Sequence, residues 1–299
     1  MASSVTQSVK RGGDDDGDAF GVDGAPWIRV LPLRTPTLPP ATRTNCYIVG
    51  EASRAVAIDP ATPYADEQAR LDAYLTAEGI RLEAVVLTHH HVDHVGDAAR
   101  LSARHGVPVL AHRETAARVA GRVQVSRTLD DGERLDVGPK GLRALFTPGH
   151  APGHLCFVDA AAGAIVAGDM VASVGTIIIE PDDAGDMRQY LDSLRLLRGE
   201  VDAGATTLLP AHGPPIADGG ARLDFYVAHR LQREARVAAA LGDAPATPAE
   251  LVPAAYPDVA ATLYPLAARS LLAHLYKLEH EGRARRHADG RWSGIRAGA

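Results

Sequence analysis

The sequence predicts an α/β protein in which a layered domain of strands and helices precedes a smaller domain with a winged-helix pattern. Three observations support this prediction. Short apolar runs typical of strands alternate with helical patterns from Trp27 onward. A long amphipathic helical pattern then begins at Arg222, and further helices follow it. Two strand-like runs, Arg283–Arg286 and Arg291–Ser293, flank a turn at Asp289–Gly290 and complete the winged-helix pattern.

Domain boundaries follow from composition and charge. Residues 1–25 are rich in Gly, Ser and Asp, and we predict that they form a disordered tail. We place the layered domain at 26–220 and the winged-helix-like domain at 221–299. Residues 222–299 hold 11 basic and 8 acidic residues, whereas the 299-residue chain has a net charge of −6. This balance argues against a protein held on nucleic acid by its overall charge.

The strands are predicted where apolar runs lie between turn-forming residues. In order they are Asn45–Val49, Ala55–Asp59, Ala84–Leu87, Val107–Leu110, Leu142–Phe146, Leu155–Asp159, Ala164–Ala167, Thr176–Glu180 and Thr207–Leu209. The helices are predicted where apolar residues recur three to four positions apart, and glycines end the first two. In order they are Tyr64–Glu78, Val95–His105, Asp186–Leu197, Arg222–Leu241, Thr247–Leu251, Pro257–Leu263 and Leu266–Glu281.

The cysteine count and the hydropathy predict the compartment. The two cysteines, Cys46 and Cys156, cannot build a disulfide framework, and both lie in predicted strands. No apolar run reaches the length of a membrane span, and the first residues lack the apolar core of a signal peptide. We therefore expect a cytoplasmic protein without a membrane segment.

A histidine-rich segment follows the predicted strand Ala84–Leu87. In an extended loop His89 and His91 project to the same side and can share one metal ion. Asp93 and His94 come where the next helix begins, so they project differently and can reach a second ion. His90 points to the other side, and we expect it to be structural or exposed to solvent.

Three further candidate ligands follow predicted strands in the same way. His150, Asp169 and His212 each come directly after a buried strand and a tight turn with Gly or Pro. Any one of them could be an ordinary polar turn residue. Together with the histidine-rich segment they predict four strand ends that converge on one cleft, where active sites of layered α/β domains lie.

These residues, in this order over 27–215, resemble the metallo-β-lactamase superfamily of dinuclear metal hydrolases. The resemblance includes the segment Thr44–Tyr47 and Asp59. It implies an αββα sandwich, in which two face-to-face sheets have helices outside. It also implies the ligand sets: His89, His91 and His150 for one ion, Asp93, His94 and His212 for the other, and Asp169 as the bridge.

For two residues outside the implied ligand sets, the sequence leaves two interpretations open. Asp59 either orients the histidine-rich segment or is a turn residue at a strand end. His154 either supports the ligands and the substrate or has a structural role. Five imidazoles and two carboxylates suit two Zn²⁺ ions, although iron or manganese would also be compatible.

The chemistry of such a site predicts hydrolysis. Two cations that share a carboxylate can share a water, lower its pKa and produce a bridging hydroxide, which Asp93 can orient. We expect attack on the ester, thioester or lactone carbonyl of a small molecule. β-Lactams are a less favoured substrate, because zinc β-lactamases usually have Cys or Ser at the position that Asp169 resembles. A binding protein with an idle metal site is disfavoured, since structural zinc sites are usually closed.

The last domain leaves an alternative open. Its segment Ser270–Gly282 resembles the winged-helix tail of the beta-lactamase-like protein 2 group, some members of which are endoribonucleases that act on single-stranded RNA. In that case the candidate nucleic-acid contacts are Arg283, Arg285 and Arg286, with Trp292 as an aromatic that could stack on a base. Otherwise the domain is a packing or dimerisation module, and the oligomeric state stays open.

Overall fold

Two β-sheets form the centre of the layered domain in the computed structural model, which describes residues 17–295. Within these residues the first sheet has seven strands in chain order: β1 (Phe20–Val22), β2 (Ala25–Arg34), β3 (Arg43–Glu51), β4 (Arg54–Ile58), β5 (Leu82–Val86), β6 (Val109–Ala111) and β7 (Arg127–Thr128). Neighbours up to β4 are antiparallel, and neighbours from β4 onward are parallel.

The second sheet is formed by the next strands of the described chain: β8 (Arg134–Leu135), β9 (Leu142–Phe146), β10 (Leu155–Asp159), β11 (Ala164–Gly168) and β12 (Thr207–Pro210). Their order across the sheet is β12–β11–β10–β9–β8. The inner faces of both sheets meet in one apolar core that includes Tyr47, Phe157 and Leu209. Burying each large apolar side chain contributes about 1.5–3 kcal/mol, so this core contributes strongly to the stability of the domain.

Helices cover the outer faces of both sheets. They are α1 (Ala65–Ala77), α2 (Val92–Val95), α3 (Ala98–His105), α4 (Arg113–Val119), α5 (Met187–Asp202) and α6 (Gly219–Ala240). Leu71 of α1 and Leu101 of α3 pack on the first sheet, whereas Tyr190 and Leu194 of α5 pack on the second. The expected αββα sandwich is confirmed.

The last domain has its own core. It contains α7 (Pro248–Ala255), α8 (Tyr264–His280), and the hairpin of β13 (Ala284–Arg286) and β14 (Trp292–Gly294). Leu271, Leu275 and Leu278 bury one face of α8 against Trp292 and against Val237 of α6. The winged-helix prediction is confirmed. Helix α6 also packs on the second sheet through its first half, so it belongs to both cores. Across residues 17–295 no helix is long and apolar enough to span a bilayer.

Two predicted elements are wrong. The segment Thr176–Glu180 is not a strand, because the carbonyls of Ile177 and Ile178 accept hydrogen bonds from side chains instead of a neighbouring strand. The predicted helix Pro257–Leu263 is reduced to a single 3₁₀ turn at Ala261–Leu263. Its proline disfavours a helical conformation of the residue before it, and Tyr256 accordingly leaves the helical region with φ −129° and ψ 52°.

The predicted disorder of residues 1–25 is also wrong for part of that segment. Strand β1 pairs with β2, and Ala25 already belongs to β2. The apolar side chains of Phe20 and Val22 pack against the inter-sheet core, which explains the order of this short run. Residues 1–16 lie outside the described part of the chain.

Candidate metal centre

The ends of four strands bring the predicted ligands together. The residues that follow β5, β9, β11 and β12 are, in order, His89 and His91, His150, Asp169, and His212. The short helix α2 adds Asp93 and His94. Their ligand atoms form two groups, and within each group all the atoms lie within 4.8 Å of one another.

Two glycines are required for this approach of the chain segments. Gly149, which precedes His150, has φ +129°, and a side chain there would overlap the backbone of Tyr190. Gly96 follows α2 and lies so close to the carbonyl of Ala61 that a Cβ would collide with it. Gly96 also separates α2 from α3, where the sequence predicts one continuous helix.

Three imidazole nitrogens converge in the first group. The Nδ1 atom of His91 lies 2.8 Å from Nε2 of His89 and 3.0 Å from Nε2 of His150. The two Nε2 atoms are 3.2 Å apart. Four ligands arranged tetrahedrally around Zn²⁺ at 2.0–2.1 Å are separated by about 3.3 Å, so these spacings suit one shared cation.

The outer nitrogen of each of these rings faces an oxygen acceptor. His150 Nδ1–H donates to the carbonyl of Ile178 (2.9 Å), and His91 Nε2–H donates to Asp183 (2.9 Å). His89 Nδ1–H donates to the hydroxyl of Thr88, whose own proton goes to a carboxylate. A neutral imidazole has one N–H, so the three inner nitrogens carry lone pairs that face each other. Without a cation between them this arrangement is repulsive.

The second group follows the same rule. His94 Nδ1–H donates to Asp59 (2.8 Å), and His212 Nδ1–H donates to the carbonyl of Arg43 (3.0 Å). Their Nε2 atoms therefore point inward. Nε2 of His94 is buried and has no hydrogen-bond partner among the described residues. The Oδ2 atom of Asp93 lies 3.7 Å from Nε2 of His212.

Asp169 lies between the two groups. Its Oδ1 is 3.3 Å from Nε2 of His212 and 3.5 Å from Nε2 of His94, whereas its Oδ2 is 3.5 Å from Nε2 of His150. Oδ1 is a buried acceptor without a hydrogen-bond partner in residues 17–295. Buried polar atoms without partners are rare, and a cation would satisfy both Oδ1 and Nε2 of His94. The donor set therefore fits metal ions.

Asp59 supports one ligand in each of the two groups. Its carboxylate accepts from the Thr88 amide (2.8 Å), from the Thr88 hydroxyl (2.6 Å) and from His94. Through Thr88 it also fixes the ring of His89. These contacts favour the orienting role over that of a simple turn residue. Asp59 adopts φ +51°, a conformation that is uncommon for a residue with a side chain.

His154 is fully buried and does not reach the cleft. Its Nε2 accepts a hydrogen bond from the backbone amide of Asp169 (3.1 Å), and its Nδ1 pairs with the hydroxyl of Thr147 (2.9 Å). Burial lowers the pKa of His154 to about 3, so it stays neutral and available as an acceptor. The contact favours support of Asp169 and argues against contact with substrate.

For His89, His150 and Asp169 the electrostatics favour the protonation states that bind metal. Burial, reinforced by the neighbouring histidines, holds the pKa values of His89 and His150 well below the ordinary range. Burial also acts to raise the pKa of Asp169, but His212 and His94 outweigh it and lower that pKa. Neutral imidazoles and an ionised carboxylate are the forms that metal binding requires. For His94 and His212, burial acts to lower the pKa, but Asp169 and, for His94, Asp59 outweigh it and raise both pKa values, so a cation would displace a proton there.

A cavity of about 510 Å³ opens above the two groups. Its polar floor includes Asp93, His150, Asp169 and His212. Its rim includes apolar residues from four parts of the chain. They are Leu38, Pro39, Val92, Val174, Ile177 and Leu266. The last of these belongs to α8, so the winged-helix domain forms part of the wall.

The sequence did not predict several residues that support the ligands. Asp183, in a short 3₁₀ helix, accepts from both His90 and His91 at 2.9 Å. The acidic pair after Pro181 was the only signal for it, and such pairs are common in surface turns. His90 is buried through this contact, in keeping with a structural role.

Asn45 supports the turn that carries His212. Its side chain donates to the carbonyls of Pro210 (2.9 Å) and Gly213 (2.8 Å), on either side of that histidine. Asn45 lies in the segment Thr44–Tyr47 that carries the family resemblance, but nothing in the sequence indicated this contact.

The arginines of the hairpin are mostly engaged within the domain. Arg283 pairs with Glu234 and Glu281, and the guanidinium of Arg286 lies 5.5 Å from the ring centroid of Tyr276. Trp292 is only 1% exposed and cannot stack on a base. Arg285 alone remains exposed without such a contact in the described chain. The domain surface therefore offers little support for RNA binding.

Comparison with known proteins agrees with this geometry. Residues 39–212 match the metallo-beta-lactamase superfamily, and residues 247–292 match the beta-lactamase associated winged helix domain. The chain belongs to the metallo-β-lactamase superfamily. Members of this superfamily are hydrolases, and the protein is accordingly an enzyme of that class.

Fungal relatives and bacterial structures resemble this superfamily member. The lactamase-like protein vrtG of Penicillium aethiopicum is 30% identical over 74% of this chain and 68% of its own length. The atrochrysone carboxyl ACP thioesterase of Aspergillus aculeatus is 32% identical over 67% of this chain, which spans only 60% of that enzyme.

Two crystal structures cover nearly the whole chain. A metallo-beta-lactamase family protein from Thermus thermophilus is 27% identical, with a TM-score of 0.76 over 90% of this chain and 99% of its own. A beta-lactamase domain protein from Burkholderia ambifaria has a TM-score of 0.80 over 96% of both chains. At 22% identity the second shows the fold alone.

Proposed function

We propose that this metallo-β-lactamase superfamily member holds two zinc ions and hydrolyses a thioester, ester or lactone carbonyl of a small molecule. The observation that carries the proposal is the placement of Asp169, whose two oxygens face two separate groups of inward-pointing imidazole nitrogens. His89, His91 and His150 would hold one ion, and Asp93, His94 and His212 the other. Nitrogen and carboxylate ligands suit zinc.

When bound, such a pair of ions lowers the pKa of a shared water and polarises the substrate carbonyl. The side chains of the protein orient the water and hold the ligands. The carboxylate of Asp93 lines the cavity and can accept a hydrogen bond from the attacking water, which orients it toward the carbonyl. Asp59, Thr88 and His154 hold the ligands in place, so little reorganisation is needed during the reaction.

The substrate class rests on the cavity and on one relative. The apolar rim at Leu38, Val92 and Val174 suits an acyl chain above a polar floor. The relative named as an acyl-carrier thioesterase, 32% identical to this chain, favours a thioester over the other carbonyl substrates. A cytoplasmic location is supported by Cys46 and Cys156, which are buried and not joined in a disulfide.

The test is a substrate panel on protein stripped with a chelator and reloaded separately with zinc, iron or manganese. The panel contains acyl thioesters, lactones, β-lactams, phosphodiesters and single-stranded RNA. We expect thioester turnover that is lost with the chelator and is restored best by zinc. Turnover that survives chelation, or turnover of RNA alone, would contradict the proposal.

A further inference from the structure

The segment 174–180 runs between the metal centre and the winged-helix domain. It forms no strand, and it lines the cavity with Val174, Ile177 and Ile178, while Ile177 and Ile179 also pack into the core of the second sheet. Without a strand partner, this segment must be fixed by other contacts.

Two consecutive carbonyls of this segment accept hydrogen bonds from side chains in two different parts of the chain. The carbonyl of Ile178 accepts the Nδ1–H of His150 at 2.9 Å, and the carbonyl of Ile177 accepts from Nη2 of Arg230 on α6. The acceptor that orients a predicted metal ligand is thus one residue away from the contact with α6.

Arg230 is built into the interface between the domains. Its side chain is only 5% exposed, and its guanidinium lies 5.3 Å from the ring centroid of Tyr190 and 6.0 Å from that of Tyr226. Both rings are close enough for cation–π attraction, which keeps the buried charge in place. No carboxylate in the described residues forms an ion pair with Arg230, so the Ile177 carbonyl is a main partner of its charge.

A second contact on the same segment is weaker. Arg269 of α8 forms an ion pair with Glu180, but the arginine side chain is 52% exposed. Exposed ion pairs contribute little to stability. Arg230 is therefore the more buried of these two side-chain contacts, and its acceptor lies directly next to the Ile178 carbonyl.

We propose that Arg230 is a positioning residue for the three-histidine site and couples it to the α6 helix. Loss of the guanidinium would leave the Ile177 carbonyl buried without a donor, and the segment would shift. The Nδ1–H of His150 would then lose its acceptor, and the ring would no longer be fixed with its Nε2 lone pair inward. This inference rests on the proposed metal site.

The two sites should respond differently, which makes the inference testable. His94 and His212 use the Asp59 carboxylate and the Arg43 carbonyl as acceptors, neither of which belongs to the segment 174–180. The segment does touch the backbone of His212, where the Val174 amide donates to its carbonyl (3.3 Å), but this contact lies three residues before Ile177 and does not involve the imidazole. Loss of the Arg230 contact should therefore weaken one of two metal-binding constants and leave the other unchanged.

The experiment measures both constants by titrating chelator-stripped protein with Zn²⁺ against a chromophoric competitor. Arg230→Met removes the donor, and Arg230→Lys restores a single donor as a conservative rescue. Arg233→Met is the matched control, because Arg233 lies on the same helix and is also buried. It donates instead to Asp258 and to the carbonyl of Ala255 within the winged-helix domain.

We expect R230M to weaken one constant at least roughly tenfold, with the other within about twofold, because the loss of an outer hydrogen bond typically costs a site 10–100-fold. The weakened constant of R230K should lie between those of R230M and wild type, and R233M should leave both constants unchanged. If R230M does not fold, the metal-binding constants of R230K are compared with those of R233M, and a selective loss in R230K supports the inference. Two unchanged constants in a variant that lacks the contact, or an equal loss in R233M, would overturn the inference. Fewer than two ions on wild type would overturn the proposed function instead.

Discussion

The Nδ1 atom of His94 lies 2.8 Å from Oδ2 of Asp59, and both side chains are buried beneath the metal centre. The same carboxylate accepts the hydroxyl proton of Thr88, whose oxygen in turn accepts from His89. One acid thus sets the ring orientation of a ligand in each group.

Asp59→Asn should weaken binding of both metal ions by roughly 10–100-fold. An amide keeps the shape but presents only one acceptor oxygen, so either His94 or Thr88 loses its partner. Zinc affinity measured by competitive titration checks this prediction. Asp66→Asn is the control, because Asp66 is an exposed acid paired only with Arg34 among its ion-pair contacts. Equal affinities of D59N and D66N would show that Asp59 does not orient the ligands.

Asp169→Ala should remove hydrolysis and lower the content of both ions, because one carboxylate faces both groups. The decrease in metal affinity should exceed the roughly 100-fold decrease that removal of an outer hydrogen bond causes. The fold should survive, since the inter-sheet core does not depend on this residue. Turnover, elemental analysis and circular dichroism of the same preparation test this expectation. Normal turnover with Asp169 removed would defeat the assignment.

His91→Ala and His90→Ala form a matched pair of adjacent imidazoles. His91 contributes one of the three inward lone pairs, whereas His90 donates to Asp183 on the outer side. We expect H91A to lose turnover and metal, and H90A to show a much smaller decrease in both. Metal content and initial rates of the two variants make the comparison. A larger loss in H90A would reverse the assignment of these two rings.

Glu234→Gln should change how the stability of the winged-helix domain depends on pH. Burial acts to raise the pKa of Glu234, but His274 and Lys277 outweigh it and lower that pKa to about 2. The folded pKa lies below the ordinary value of 4.5, so the charge stabilises the fold above pH 4.5. That contribution is lost as the pH falls toward about 2.

Denaturant unfolding of wild type and E234Q, with chelator present to exclude metal release, measures this effect. The free energy of unfolding should favour wild type at neutral pH, and the difference should shrink between about pH 4.5 and 2. A difference that stays constant over this range would mean that Glu234 does not titrate as its contacts imply.

Arg285→Ala combined with Arg286→Ala should leave thioester hydrolysis within about twofold of wild type, and raised salt should change the rate only weakly. Both side chains lie on the hairpin and are absent from the cavity wall. Binding to phosphates would instead weaken steeply with salt. Initial rates at low and moderate ionic strength make the test, and a steep salt dependence that disappears in the variant would favour the RNA alternative.

The metal ligands can be predicted from the sequence, whereas the distant groups that orient them cannot. The ligands stand at strand ends, and the spacing of His89, His91, Asp93 and His94 is itself a signal. The acceptors behind them are mostly backbone carbonyls, such as those of Ile178 and Arg43, which have no sequence signature. Their roles exist only after distant segments have packed together.

The errors in the fold have a similar origin. The run Thr176–Glu180 is apolar enough to predict a strand, but its carbonyls are taken by His150 and Arg230 from elsewhere in the chain. Likewise, the sequence suggests Trp292 as a base-stacking residue, because it does not show that the hairpin folds this side chain into the core. Composition predicts that a segment is apolar, whereas its partners are decided by tertiary contacts.

We infer that the predicted ligands hold two cations, one on either side of Asp169. Anomalous X-ray diffraction at the zinc absorption edge, from crystals of zinc-loaded protein, tests it most directly. We expect two anomalous peaks, one among His89, His91 and His150 and the other among Asp93, His94 and His212. A single peak, or peaks away from these side chains, would contradict it.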